Sequence, residues 1–295
     1  MKQIPLRNPW PGAPVYFKQS TESTMEDARR LLEQGCPAGT VAAAAFQSRG
    51  RGRLANRRWL AARGQSLLFT LVLRQAAVSS PRGRGRGPES ASRTGAGTKS
   101  PQVESGLVAP AAVQRLPVLA GLAVALTLEE LYALRLQVKW PNDLLFEGRK
   151  LAGVLCEAFA EGESLGLLVG IGLNCNQLEF PKELKQPATS LRAVLGRSVE
   201  PLALLEPLLR AIKALLSDRD WRAKLHERLY GLQREIAVRF VTPGMSEAAR
   251  ERRGVLHGVD EQGALLFQPL GSPETISLYS GEISIPGPAN SSSPS

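Results

Sequence analysis

The sequence predicts an α+β protein: a mixed main domain followed by a small β-rich unit. Up to about residue 232, strand and helix patterns are interleaved without the regular βαβ alternation of a parallel sheet. From Glu235 onward the pattern changes to short strands punctuated by turns such as Asp260-Glu261-Gln262-Gly263. Hydrophobic residues make up 43% of 295 positions, enough for a real core. No apolar run reaches the roughly 18 residues that span a bilayer.

In chain order, residues 1–14 carry four prolines and read as an extended arm. Val15–Lys18 suits a short strand. Thr24 is a plausible N-cap with Asp27 three residues on, opening a helix from Met25 that stops at Gly35. Val41–Phe46 and Leu67–Leu73 read as buried strands on either side of a long basic loop, residues 47–65. Residues 76–116 are low-complexity Ser, Gly, Pro, Arg and Ala, and such a composition does not repay the entropy of ordering; a disordered insertion is expected. Pro117 then starts a helix to about Leu134, with proline in its first turn. Leu136–Trp140 and Lys150–Phe159 are strands bracketing a turn at Glu147-Gly148, and Leu165–Cys175 is another strand. Helices are expected at roughly 200–217 and 219–231 from the apolar period. Ile236–Val241, Gly254–Val259, Ala264–Gln268 and Thr275–Tyr279 would form a small barrel, with a disordered tail over 286–295.

Composition excludes several function classes. The net charge is +10, but six cations against two anions place +4 of it within residues 76–116, where aromatics are almost absent. A general nucleic-acid binder concentrates charge on a folded face and interleaves stacking aromatics. Three cysteines without metal-ligand spacing argue against a disulfide framework or structural zinc. Two histidines make imidazole-based catalysis a poor first reading. The N-terminus, MKQIPLRNPW, lacks the apolar centre of a signal peptide. The expectation is a soluble, reduced, cytoplasmic protein without a membrane partner.

Four short motifs carry chemistry. Gly50-Arg51-Gly52-Arg53 is followed by Arg57, Arg58 and Trp59. Glycines let the backbone approach a phosphate, guanidinium groups add bidentate bonds to phosphate or carboxylate, and Trp59 offers a flat face to a base. The bland rival is a solvated basic loop or an arginine–glycine RNA-binding tract. Arg82–Gly87 repeats the same letters inside low-complexity sequence, with no strand before it and no Trp after it, and reads as a decoy. Lys139-Trp140-Pro141-Asn142-Asp143 closes a strand, its Lys and Asp suited to phosphate and Mg²⁺; alone it reads rather as an ordinary strand-to-turn exit with exposed charges. Arg149-Lys150-Leu151-Ala152-Gly153 sends a lysine into an apolar strand, where snorkelling is the ordinary explanation. Gly170-Ile171-Gly172-Leu173-Asn174 lacks the third glycine of a dinucleotide fingerprint.

Taken in order, with Ser23-Thr24-Met25 ahead and Gly258-Val259-Asp260 and Gly281-Glu282-Ile283-Ser284 behind, these motifs resemble those of the biotin–protein ligases. The likeness runs over nearly the whole chain apart from the insertion and the ends. It implies a class II aminoacyl-tRNA-synthetase-like biotin/lipoate ligase catalytic domain over residues 15–232 and an SH3-like β-barrel over 233–285. It implies a two-step acyl transfer, in which biotin and ATP give biotinyl-5′-AMP and a carrier-protein lysine then takes the biotinyl group.

Residue by residue, the resemblance places Ser23, Thr24, Met25 and Gln47 around the biotin ring system. Arg51, Gly52 and Arg53 belong to a loop that closes on biotin and its adenylate. Gly153, Gly170 and Gly172 line the biotin pocket through close backbone approach, and Lys150 contacts the biotin carboxylate and the α-phosphate. Gly50, Trp59, Asn142 and Asn174 serve ATP and the adenylate. Lys150, Arg53 and Lys139 are the catalytic cations, and Asp143 is the implied Mg²⁺ ligand. Met25 stands where the family usually has Asn, and one extra residue between Arg53 and Trp59 leaves the register of Asn56, Arg57 and Arg58 open. The implied partner is the biotin carboxyl carrier protein of acetyl-CoA carboxylase or of another biotin-dependent carboxylase, with no DNA, the chain acting as a monomer or homodimer. A helix-turn-helix does not fit into the residues before Val15, so a monofunctional enzyme is expected. The rivals are a lipoate–protein ligase of the same fold and a basic nucleic-acid-binding regulator.

Overall fold

The computed structural model describes residues 1–53, 58–76, 111–161, 164–181, 183–184, 186–240 and 251–286. The insertion between Ala76 and Ala111, its arginine–glycine decoy, Arg57 and the tail from residue 287 lie outside the described residues.

The main sheet contains β1 (Lys2–Gln3), β2 (Val15–Lys18), β3 (Val41–Ala44), β4 (Ser66–Ala76), β5 (Gln137–Lys139), β6 (Asp143–Phe146), β7 (Arg149–Glu161) and β8 (Ser164–Asn174). Their spatial order is β1-β2-β3-β4-β8-β7-β6-β5. Strands β2 and β3 pair parallel, and the other neighbours pair antiparallel. Five α-helices accompany the sheet among the described residues, α1 (Thr24–Glu33), α2 (Ala111–Tyr132), α3 (Leu191–Leu195), α4 (Leu205–Ser217) and α5 (Trp221–His226), with a 3-10 turn, Pro201–Leu204, leading into α4. A second, antiparallel sheet follows, made of β9 (Glu235–Arg239), β10 (Glu251–Val259), β11 (Leu265–Pro269), β12 (Ile276–Leu278) and β13 (Glu282–Ser284), in the order β12-β11-β10-β9-β13. This is the α+β architecture with a small C-terminal β unit that the patterning predicts.

Period-two alternation divides the long strands between two environments. On β4, Leu67, Phe69, Leu71 and Leu73 join α2 and α4 in the main core. On β8, Leu167, Val169, Ile171 and Leu173 do the same. The opposite face holds Val72 and Leu168 under α1, packed with Met25, Ala28, Leu31 and Leu32. Further along that same face stand Thr70, Gly170 and Gly172. Helix α2 is apolar nearly all round, and Val118 to Ala125 are buried without interruption, as a helix enclosed on several sides requires.

Local differences from the sequence reading have physical reasons. Ser23, not Thr24, is the N-cap of α1: its Oγ accepts from Met25 N, and Asp27 spends its carboxylate on Lys18 and Thr21 rather than on a capping box. Gly35 follows the helix at φ +77°, as expected of the residue that ends it. Helix α2 starts at Ala111 and carries Pro117 inside it, so residues 111–116 belong to the helix rather than to the insertion. The helix expected over 219–231 ends at His226 and gives way to turns with Gly231 and Gln233 at positive φ. Helix α3 is too short to leave an apolar period.

Candidate active site

The face of β4, β8 and β7 that α1 leaves uncovered is floored by glycine. The strand register aligns Leu68 with Gly172, Gly172 with Gly153, and Gly153 with Asp143, while the neighbouring row aligns Thr70 with Gly170 and Gly170 with Leu155. Missing side chains there make room for others. A Cβ on Gly170 would lie 2.7 Å from Met25 Sδ, and one on Gly172 would lie 2.6 Å from the Trp59 ring. Above this floor is a cavity of about 400 Å³.

Each wall comes from a different segment. The basic loop returns on itself through an Arg51–Arg58 bridge and a Trp59 N–H bond to Gly50 O of 3.0 Å, which lays the indole over Gly172 and Gly153. The start of β7 is clamped to residues 187–189: Lys150 N donates to Pro187 O at 2.7 Å, and Thr189 N to Lys150 O at 2.9 Å. The N-terminus of α1 is set beside Gln47 by backbone bonds between Thr21 and the Phe46–Ser48 segment. Gln47 Oε1 accepts from Thr24 N at 2.7 Å and from Thr24 Oγ1 at 3.0 Å, so it satisfies one of the free N–H groups that every helix start exposes.

Cations surround the middle of the cavity. Lys150 Nζ forms an ion pair with Asp143 Oδ1 at 2.6 Å and stands 5.7 Å from the centre of the Trp59 ring. Arg51 pairs with Glu26 at 2.6 Å and Glu157 at 3.5 Å. Arg53 donates to Gly281 O at 3.0 Å and pairs with Glu282 at 3.4 Å, so the loop is tied to the C-terminal sheet. Asn142 Nδ2 bonds Val154 O, and Asn174 Nδ2 bonds Thr189 O, leaving each carboxamide oxygen to face other partners.

The structure brings nearly all the residues singled out in the sequence to this one cavity: Ser23, Thr24, Met25, Gln47, Arg51, Gly52, Arg53, Trp59, Asn142, Asp143, Lys150, Gly153, Gly170, Gly172 and Asn174. Two sit elsewhere. Gly50 lines an adjoining cavity behind Trp59. Lys139 is not in the lining; its ammonium donates to Oε1 of Gln186, a residue of the cavity wall, at 3.1 Å and stands over the Tyr230 ring. Residues missed by sequence reasoning include Phe180, Pro181, Leu184 and Ala188, which come from a connection without periodicity, and Glu282, which β13 delivers from the far end of the chain. Asp143, Glu183 and Glu282 are the carboxylates of the cavity wall, yet no three His, Cys, Asp or Glu side chains among the described residues converge as metal ligands, and Asp143 is already paired. The donor set does not fit a resident metal ion.

Comparison with known proteins agrees with this fold. The model of the biotin/lipoate A/B protein ligase family matches residues 102–174. A biotin protein ligase from Aquifex aeolicus, solved with biotin and ATP, superposes with a TM-score of 0.65 at 28% identity, covering 92% of this chain and 97% of that one. The likeness to the biotin/lipoate A/B protein ligase family thus rests on that stretch and on the shared fold. The chain is similar to the bifunctional ligase/repressor of Bacillus subtilis, 28% identical over 264 residues, or 87% of this chain and 70% of the relative. It is also 32% identical over 141 residues to the biotin–[acetyl-CoA-carboxylase] ligase of Paracoccus denitrificans, covering 46% of this chain and 58% of the relative. No described helix is long and apolar enough to cross a membrane.

Proposed function

We propose that the chain is a biotin–protein ligase, joining biotin to the lysine of a biotin carboxyl carrier protein through biotinyl-5′-AMP. One observation carries the reading: a single cavity places a neutral hydrogen-bonding pair, Thr24 and Gln47, opposite a cationic centre at Lys150. The pair sits on the β4 side and Lys150 on the β7 side, two strand spacings or about 10 Å apart. A ligand with a neutral polar ring at one end and a carboxylate on a short alkyl tail fits that span. The apolar Met25 side chain and the glycine floor suit the ring and tail between them.

In the first step a biotin carboxylate oxygen attacks the α-phosphorus of ATP, and the bond to the bridging oxygen breaks as pyrophosphate leaves with the electron pair. Two anions must approach each other, and Lys150, Arg51 and Arg53 offset that repulsion. Trp59 supplies an apolar face for the nucleotide base beside the carboxamide oxygen of Asn174, an acceptor for an exocyclic amine. In the second step a neutral lysine Nε attacks the acyl carbon; AMP leaves with the electron pair, and the nitrogen loses its proton to give the amide. The Arg53 loop restrains the anhydride while water is excluded. Magnesium enters with the phosphates of the nucleotide, consistent with its habit of binding through phosphates and water rather than a protein cage.

Every group invoked belongs to one chain, so a monomer or a homodimer with two independent sites suffices. The partner is a carrier domain presenting a lysine, not a nucleic acid, and a cytoplasmic setting supplies both. A lipoate ligase is less well supported, because the lipoyl ring has no group to match the Thr24–Gln47 pair, and an unmatched buried polar pair is costly. Pyrophosphate exchange decides between them: with ATP, magnesium and either acid, exchange is expected with biotin and not with lipoate, and the reverse result would overturn the reading.

A further inference from the structure

We infer that Arg58 receives the outer phosphates of the nucleotide and holds the pyrophosphate as it leaves. The inference rests on the adenylation step proposed above and names a further residue for it. Arg58 is exposed, lines the main cavity beside Trp59, and also lines the adjoining cavity behind that indole.

A count of charges singles it out. Four cations line the main cavity among the described residues: Arg51, Arg53, Arg58 and Lys150. Three of them arrive with a carboxylate already in place. Lys150 is paired with Asp143 at 2.6 Å, Arg51 with Glu26 at 2.6 Å and Glu157 at 3.5 Å, and Arg53 with Glu282 at 3.4 Å. The Arg58 guanidinium has no ion pair or hydrogen bond among the described residues. An anion at any of the first three competes with an internal counter-ion, whereas Arg58 can take one directly.

The backbone fixes where this cation stands. Arg51 and Arg58 face each other across an antiparallel bridge, and the next residue, Trp59, is tied to Gly50 O at 3.0 Å. Residues opposed in this way carry their side chains on the same side of the ribbon, with Cα atoms about 4.5–5.5 Å apart. Like charges so placed destabilise the pairing unless anions answer them. Glu26 and Glu157 answer Arg51. The anion for Arg58 is left to a ligand.

ATP supplies it. Lys150 serves the reacting carboxylate and the α-phosphate, but the β- and γ-phosphates carry most of the nucleotide's charge. Lys150 Nζ stands 5.7 Å from the centre of the Trp59 ring, so a triphosphate running from the α-phosphorus toward the open side passes the loop that carries Arg58. As the bond from the α-phosphorus to its bridging oxygen breaks, the electron pair passes to that oxygen and the β-phosphate gains negative charge. A guanidinium can follow that charge with two parallel N–H bonds.

The test separates the two half-reactions in the whole chain. Arg58→Ala is expected to lower kcat/KM for ATP in biotin-dependent pyrophosphate exchange about tenfold, the loss of one charge-assisted contact. KM for pyrophosphate should rise as well, because the same contact binds the leaving group. Transfer from preformed biotinyl-5′-AMP to the carrier lysine involves no pyrophosphate and should run at the parental rate. Biotin alone should bind as before in calorimetry. Arg58→Lys should recover part of the loss and Arg58→Gln none, with circular dichroism checking that each variant folds. Arg49→Ala controls for bulk charge, since Arg49 belongs to the same basic loop but lines neither cavity. Unchanged exchange in Arg58→Ala, a matching loss in Arg49→Ala, or an equal loss in the transfer step would overturn the inference. Parental protein without biotin-dependent exchange would instead overturn the biotin reading itself.

Discussion

Lys150 is the residue on which the proposed chemistry turns, and its surroundings separate catalysis from structure. The side chain is partly exposed, paired with Asp143, and seated between Gly153 and the Trp59 ring. No apolar packing depends on it, so Lys150→Ala should fold. An ammonium beside the reacting carboxylate acts most as charge builds on phosphorus in the transition state. Biotin-dependent pyrophosphate exchange is expected to fall by at least about tenfold, equivalent to ~1.4 kcal/mol, while preformed biotinyl-5′-AMP restores part of the carrier labelling. Adenylation at the parental rate would reduce Lys150 to a snorkelling edge charge. Such residues were legible in the sequence because each motif packs its chemistry into a few adjacent positions. Thr70 was not: nothing in an apolar strand sets its hydroxyl apart, and only the fold brings it to Thr24. The contacts of Lys139 were equally hidden, since its own motif is contiguous while Gln186 and Tyr230 are distant.

At the scale of elements, the strands were legible and their ends less so. The strands β4, β7 and β8 each extend beyond the apolar runs that announced them, to Ala76, Glu161 and Ser164, because the ladder still pairs Ser164 with Ala76 on one side and Glu161 on the other. The proline rule misplaced the start of α2, since the Ala-rich turn before Pro117 has enough helix propensity to precede it. The contact between the Arg53 loop and β13 was invisible in sequence, 228 residues separating the partners. It makes a prediction about the intermediate. If Arg53 restrains the adenylate while docked on Gly281 and Glu282, then Arg53→Ala and Glu282→Gln should each hasten escape of biotinyl-5′-AMP, read as biotin added to bystander lysines. Because the two side chains act through one contact, the double variant should be little worse than Arg53→Ala alone, a coupling on the order of 0.5–3 kcal/mol. Additive effects would show that Glu282 acts separately.

Over the whole molecule, the sequence suggested two domains meeting near residue 233, but the packing joins the two sheets. Ile236, Val238, Leu256, Phe267 and Ile283 of the small sheet belong to the same buried cluster as Leu122, Leu128 and Trp140. Trp140 Nε1 donates to Gly263 O at 3.0 Å, and Val138 exchanges backbone bonds with Arg228 and Tyr230 just before β9. A shared core of this kind makes the barrel costly to open alone, and a single cooperative transition is expected on heating or in denaturant. Cys175 offers a site-specific check. It is 0% exposed at the end of β8, and burial pushes its thiol up to about 12, so almost none is thiolate at neutral pH. Its labelling by a maleimide should therefore follow the global transition, at the same denaturant midpoint as loss of far-ultraviolet circular dichroism. Deleting the indole bond with Trp140→Phe should move both midpoints together, by the roughly 0.5–1.5 kcal/mol of one hydrogen bond. Two resolved transitions, with Cys175 protected after the first, would show that the small sheet unfolds independently and that the boundary near residue 233 divides two separately stable units.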